Sequence, residues 1–241
     1  MSKFRYNTSI KSYETDASGK VSLANLFYYF QEAANLHASS LDWGLEYLES
    51  INKFWILSRL YIKIDHYPVH KDEITIETWS RGAEGFFAYR DYKVLVNGKS
   101  CIDAVSSWMI LDRPTHRPAK IELIGKEIPG MNDSYLAFPS AKIPTVEPLH
   151  KTFEKTINYS DIDINFHVNN GKYVEILCDS LAGKLMAGAA IESFDIQYMA
   201  ESQMGDNILV YQREDDSSDI HLSMMNATKS KETCRCHIHW K

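Results

Sequence analysis

The residues best suited to chemistry lie in Asp161-Ile162-Asp163-Ile164-Asn165-Phe166-His167-Val168-Asn169-Asn170-Gly171-Lys172-Tyr173. Polar and apolar residues alternate from Asp161 to Val168, so an extended or turning backbone would set Asp163, Asn165 and His167 on one wall. Ile162, Ile164 and Phe166 would then anchor the opposite side. A carboxylate and an imidazole can orient and deprotonate a water, and an amide N–H₂ can hold a developing oxyanion. The same residue types also cap helices and shape ordinary turns. The chain contains its own comparison. Asp16-Ala17-Ser18-Gly19-Lys20 stands at the matching place in the first half, with the aspartate but neither amide nor imidazole. A turn of this kind therefore does not need all three groups.

The elements that must position this cluster occur twice, in the same order. In the first half a strand near residues 3–13 leads to a helix from about Leu23 to Leu48, with Ser22 as its cap and Gly44 as its end or bend. Leu26, Phe27, Phe30, Ala33, Ala34 and His37 recur there at helical spacing. Strands over Arg59–Asp65, Glu73–Ser80, Phe86–Val96 and Cys101–Leu111 follow, the last two joined by Asn97-Gly98, a dipeptide suited to a tight hairpin. In the second half a strand near Lys151–Tyr159, a helix from about Asn169 to Ala187 and four strands ending at Trp240 repeat the pattern. Asp16 aligns with Asp163 and Val21 with Val168. After a thirteen-residue shift, Leu60, Ile62 and Ile64 align with Phe194, Ile196 and Tyr198. This is an α+β chain built by duplicating a long helix against an antiparallel sheet. Six of the seven prolines lie between Pro114 and Pro148. They predict a proline-rich linker over 116–147, with a short helix near Lys120–Lys126, between domains at 1–115 and 148–241.

Composition excludes several classes. With 241 residues and 44% hydrophobic content, the chain can bury a sizeable core. A net charge of −6 is the wrong sign for non-specific nucleic-acid binding. There is no apolar run for a secretory signal or a membrane-spanning helix, which predicts a soluble, cytoplasmic protein without membrane insertion. Of the four cysteines, Cys234 and Cys236 share one face of the last strand with Ile238 and Trp240, as core residues would. No spacing suits a structural zinc, and no metal or cofactor is expected.

The motif Asp163-x-Asn165-x-His167-Val168-Asn169-Asn170, followed by Tyr173 and a helix, resembles the acyl-[acyl carrier protein] thioesterase family. The run Tyr13-Glu14-Thr15-Asp16, the strand Trp55–Asp65 and Asp112-Arg113-Pro114 resemble it too, so the likeness spans essentially the whole chain. It implies two tandem hotdog domains, each a long helix wrapped by an antiparallel sheet. It also implies hydrolysis of a fatty acyl thioester carried by an acyl carrier protein. By motif, the family's functional residues fall on Asp163, Asn165 and His167, and a functional glutamate falls on Glu201. Plant members carry cysteine after that glutamate, where this chain has Ser202.

A water activated by Glu201 needs no cysteine, whereas Ser202 lacks the surroundings of an activated serine. Amide N–H groups near Val168 and Asn169, at the helix start, are candidate oxyanion donors. Cys178 and His37 read as packed helix residues. Leu26, Phe27, Trp55, Trp79 and Phe86 are candidates to line an acyl tunnel that the resemblance assigns to the first half. Lys11, Lys20, Arg113, Arg117 and Lys120 are candidates for an acidic carrier's docking patch. A coenzyme A thioesterase and a non-catalytic acyl-binding protein are the competing readings. Two hotdog units can pair within one chain, and a homodimer of chains stays open.

Overall fold

The computed structural model describes residues 3–131, 133, 136–139, 141–147, 149–215 and 218–241. Pro148, at the expected start of the second half, lies outside the described residues. The first half runs β1 (Phe4–Ser9), α1 (Leu23–Ser40), α2 (Leu45–Ser50), β2 (Lys53–Ile64), β3 (Glu73–Glu84), β4 (Phe87–Val96) and β5 (Lys99–Asp112). The short β6 (Pro118–Ala119) precedes the second half. That half runs β7 (His150–Thr156), α3 (Asn170–Ser180), α4 (Ala182–Met186), β8 (Ile191–Tyr198), β9 (Asn207–Glu214), β10 (Asp219–Asn226) and β11 (Lys231–Trp240).

Each half is a long helix against five antiparallel strands, the hotdog arrangement that the resemblance implies. The first sheet runs β1-β3-β4-β5-β2 and the second β8-β11-β10-β9-β7, the same order reversed. They fuse where β2 pairs antiparallel with β8, so the two units pair with each other inside one chain. At this seam Leu60 faces Ile196 and Ile62 faces Phe194, all buried on the side that α1 and α3 cover. Asn97 and Gly98 both adopt positive φ, the tight-turn geometry expected of them.

The expected first helix is broken. Ser22 caps α1, its hydroxyl accepting from the Asn25 N–H, but the helix stops at Ser40 and α2 restarts after Gly44. Gly44 lies against Ser39, where a β-carbon would approach within 2.4 Å of the hydroxyl oxygen. The second helix likewise divides, at Leu181. α1 and α3 cross closely: a β-carbon on Gly171 would lie 2.4 Å from the Tyr28 ring, while the Tyr28 hydroxyl donates to Glu175 at 2.9 Å.

The proline-rich join is packed rather than free. Its β6 pairs with β5, and Ile121 and Ile128 enter a small core with Trp43, Leu48, Ala88 and Ile110. Farther along it crosses the outer face of the sheet. The Trp79 indole donates to the Asp133 carbonyl, Arg81 to the Leu136 carbonyl, and Phe138 stacks on the Arg59 guanidinium. The join thus lets bulky and charged side chains occupy the outer face without meeting water.

On that face Arg59 of β2 grips Asp195 of β8, with Nε–Oδ1 at 2.8 Å and Nη2–Oδ2 at 2.5 Å. The two side chains are 6% and 3% exposed. Burial pushes the Asp195 carboxyl above its ordinary range even with Arg59 beside it. A pair this dry adds little net stability yet is expensive to break singly. Asp195→Ala should therefore lower the unfolding free energy by about 3–5 kcal/mol, read from the urea midpoint. Adding Arg59→Met should recover much of that loss, whereas a merely additive double variant would count against the pair.

Candidate active site

The chemistry-bearing segment folds as a closed turn, not as an extended strand. Ile162 bridges to Val168, the Asp163 N–H donates to the His167 carbonyl at 2.9 Å, and the Phe166 N–H donates to the Asp163 carbonyl at 3.0 Å. The expected wall of alternating residues is therefore replaced by a loop. Ile164 and Phe166 do not anchor it: they are 82% and 81% exposed.

The first half makes the same turn with different side chains. There the Asp16 N–H donates to the Lys20 carbonyl, and Thr15 bridges to Val21. In both copies the aspartate Oδ1 accepts a backbone N–H two residues on, Ser18 from Asp16 and Asn165 from Asp163, each at 2.8 Å. Asp163 is thus explained in part by turn formation, but Asn165 and His167 are not, since Ser18 and Lys20 serve in their places. Phe166 holds φ +63° where the first copy has Gly19 at +78°. A non-glycine residue in that region carries backbone strain, so the turn tolerates a cost to place an aromatic ring there.

Glu201 follows β8 in a loop fastened by its neighbour. Ser202 is fully buried: its N–H donates to the Tyr173 hydroxyl at 2.9 Å, its carbonyl accepts from the Val168 N–H, and its hydroxyl accepts from Asn226. These bonds tie the loop to the start of α3. They leave the Glu201 carboxylate pointing at the turn, with Oε2 3.2 Å from His167 Nε2. The matching first-half residues are Lys20 and Tyr67, whose ammonium and ring centroid lie 5.9 Å apart. The structure therefore joins His167 to Glu201 and sets Asp163 and Asn165 in the same turn.

Beside the turn lies a cavity of about 1160 Å³ running between the two halves. The second half contributes Tyr159, Asp163, Ile164, Asn165, Phe166 and Met204. From the first half, α1 contributes Gln31, Glu32 and Asn35, the loop after it Trp43, α2 Leu48, and the sheet Trp55, Ala88, Arg90 and Trp108. Asp163 and Asn165 line this space; His167 and Glu201 stand just outside its wall.

Several expectations need correction. Of the five tunnel candidates only Trp55 lines the cavity. Leu26 and Phe27 sit in the main core, Trp79 is held under the join, and Phe86 lies away from the cavity wall. Trp108 and Arg90 were missed because a strand's sequence does not say which of its two faces meets empty space, and Trp43 because it stands in the loop between α1 and α2. The expected oxyanion donors are engaged: the Val168 N–H donates to Ser202 and the Asn169 N–H to the Asp161 carbonyl. Among the described residues the first α3 amide without an acceptor is that of Asn170, whose residue lines the cavity. Lys11, Lys20, Arg113, Arg117 and Lys120, candidates for a docking patch and not for the wall, do not line the cavity, which leaves that expectation untouched; Lys11 is bonded to Ser9, and Arg113 pairs with Glu49. Cys234 and Cys236 are buried, and burial pushes the Cys178 thiol up to about 12, which keeps it protonated and inert. Among the described residues no cluster of metal-ligating side chains occurs, and no helix is long and apolar enough to cross a membrane.

Comparison with known proteins gives two family-model matches: the acyl-ACP thioesterase N-terminal domain over residues 1–126 and the C-terminal domain over 147–241. Similar chains include a chloroplastic palmitoyl-acyl carrier protein thioesterase of Arabidopsis thaliana, 29% identical over 82% of this chain and 52% of that protein. A chloroplastic dodecanoyl-[acyl-carrier-protein] hydrolase of Cinnamomum camphora is 28% identical over 86% of this chain and 58% of its own length. The chain thus spans little more than half the length of these relatives. The crystal structure of an acyl-ACP thioesterase from Bacteroides thetaiotaomicron superposes with a TM-score of 0.83, at 26% identity over 98% of this chain and 97% of that one.

His37 makes one property of the cavity wall measurable. It is 3% exposed and stacks on Phe4, and its Nδ1 lies 2.7 Å from Arg90 Nη1, so Nδ1 accepts and the ring is neutral. Burial, then the Arg90 charge, lowers its pKa to about 4. The unfolded chain holds histidine near 6.5, so below that value the unfolded state binds the proton more readily. The stability contributed by the neutral ring is complete above 6.5 and is lost as pH falls toward 4, by at most about 3 kcal/mol. Urea unfolding at the two ends of this window should show a smaller loss for His37→Gln than for the parent. Equal losses would show that His37 titrates normally.

Proposed function

We infer function from kinship and geometry together: this chain belongs to the acyl-ACP thioesterase family, and its activity is the hydrolysis of fatty acyl-[acyl carrier protein] thioesters to free fatty acid and carrier thiol. The observation that carries this reading is the His167–Glu201 contact at 3.2 Å beside a cavity large enough for an acyl chain. The duplicated first half keeps the turn but has neither group.

In this mechanism the acyl chain lies in the cavity with its thioester carbonyl at the Asp163–His167 turn. Glu201 accepts a proton from a water as the water oxygen bonds to the carbonyl carbon. His167 orients the carboxylate through its Nε2. The carbonyl oxygen becomes an oxyanion, held by the Asn165 amide and by the Asn170 N–H. Collapse of the tetrahedral intermediate breaks the C–S bond, and the carrier thiolate takes up the proton that Glu201 received. Asp163 keeps the turn closed through its bond to the Asn165 N–H and so positions the amide. Ser202 has no part in the bond changes, because its hydroxyl is buried and bonded to Asn226.

Steady-state hydrolysis of carrier-bound acyl thioesters provides the test. Glu201→Ala and His167→Ala should each lower kcat by about a hundredfold or more, the range expected for losing a positioned proton acceptor. Asn165→Ala should cost about 3 kcal/mol of transition-state stabilisation, again near a hundredfold. Ser202→Ala should retain most activity and lose about 1 kcal/mol of stability with its hydrogen bond. A large kcat loss for Ser202→Ala beside an active Glu201→Ala would replace water with the serine hydroxyl. Equal efficiency on coenzyme A and carrier thioesters would remove the carrier protein as the specific partner. Retention of acyl ligand with no turnover on either would leave only a binding protein.

A further inference from the structure

One side chain of the cavity wall has no place in that mechanism. Arg90 projects from β4 into the middle of the first-half sheet, opposite Ser80 and Ser106, and is only 8% exposed, yet it lines the cavity. Its Nη1 meets His37 Nδ1 at 2.7 Å and Thr78 Oγ1 at 3.1 Å, both neutral. Its Nε and Nη2 have no acceptor among the described residues. The two carboxylates of the wall, Glu32 on α1 and Asp163 in the turn, form no ion pair with it. A guanidinium is a planar fork of five donors that stays charged in proteins. The unpartnered donors of Arg90 keep some accessible surface and face the cavity, so a ligand there that brings acceptors would meet them.

Its position relative to the turn is fixed by α1. Tyr28 packs against Gly171 at the start of α3, while His37, nine residues on, touches Arg90. At the helical rise this is about 13 Å, so the guanidinium stands well down the cavity from the thioester end. A plain alkyl chain reaching it would strip its remaining solvent and offer methylenes in return. A chain carrying an oxygen at that depth would instead complete the donor fork.

We propose that Arg90 makes the cavity selective for acyl chains bearing a hydrogen-bond-accepting oxygen, a hydroxyl or a carboxylate, at the end remote from the thioester. The choice of substrate rests on the thioesterase reading, but the binding itself does not. The juxtaposition is of one buried cation, two neutral partners and a cavity whose walls include Trp43, Leu48, Trp55 and Trp108. Apolar walls orient the methylenes, and the guanidinium fixes the oxygen.

Hydrolysis of dodecanoyl, ω-hydroxydodecanoyl and ω-carboxyundecanoyl thioesters should be compared in the parent, Arg90→Met and Arg90→Lys. Calorimetric binding of free dodecanoic and dodecanedioic acids should run alongside. The parent should favour the oxygenated chains by about tenfold or more in kcat/KM, expressed mainly in KM, as expected for a charge-assisted hydrogen bond. Of the two oxygenated arms, the carboxylate should gain more than the hydroxyl. Arg90→Met should reverse the order by weakening the oxygenated chains and improving the dodecanoyl one, while Arg90→Lys should keep a reduced preference. Equal use of all three chains by the parent overturns the proposal, with no substitution needed. So does an Arg90→Met loss that falls equally on every chain. If no thioester is cleaved but dodecanedioic acid binds tighter than dodecanoic acid through Arg90, the hydrolase reading fails and the Arg90 site stands.

Discussion

The β2–β8 pairing is the constraint on which the rest of the molecule depends. Five backbone-paired positions, from Arg59 opposite Gln197 to Lys63 opposite Ser193, turn two five-stranded sheets into one. The buried face of that seam supplies Leu60, Ile62, Phe194 and Ile196 to a single core beneath both long helices. Because strand side chains alternate, a one-residue slip of β2 against β8 would turn Leu60 and Ile62 outward and bring Arg59 toward the core. The salt bridge on the outer face and the apolar residues on the inner one therefore specify the same register from opposite sides.

That register also makes a composite site. With β2 beside β8, α1 of the first half crosses the start of α3 in the second, close enough that Gly171 must lack a side chain. The turn that precedes α3 then faces the cavity of the other half. Neither unit could make this arrangement alone: the first has the space between α1 and its sheet, and the second has the imidazole, the amide and the carboxylate. Each copy holds what the other lacks. Lys20 and Tyr67 show one side of that division, His167 and Glu201 the other, on backbones that keep matching hydrogen bonds.

Ser202 shows how a residue can matter to a site without touching substrate. Its buried hydrogen bonds to Tyr173, Val168 and Asn226 fix the loop, so the carboxylate next to it arrives beside His167. A hydroxyl sealed from the cavity and already accepting a hydrogen bond inside the protein is not placed to meet a substrate. The strain accepted at Phe166 has no such return in the core, since its ring stands exposed at the cavity wall.

Much was legible in the residues alone. Periodicities of two and near four located the strands and helices, because burial on one face imposes them locally. The repeated order revealed the duplication. The departure of Asn165 and His167 from what the matching turn requires marked them as surplus to folding. Other features depended on contacts between distant segments. The closed turn in place of an alternating strand, the packing of the proline-rich join and the engagement of the Val168 and Asn169 amides could not be read locally. The cavity is the clearest case: Trp79 and Trp108 both alternate properly on their strands, yet one is sealed under the join and the other faces open space. Sequence determines which side chains a strand or helix can present together, since that follows from backbone geometry a few residues long. What those side chains meet, core, water or an unfilled space holding a buried guanidinium, is decided only when the two halves and their join close around one another.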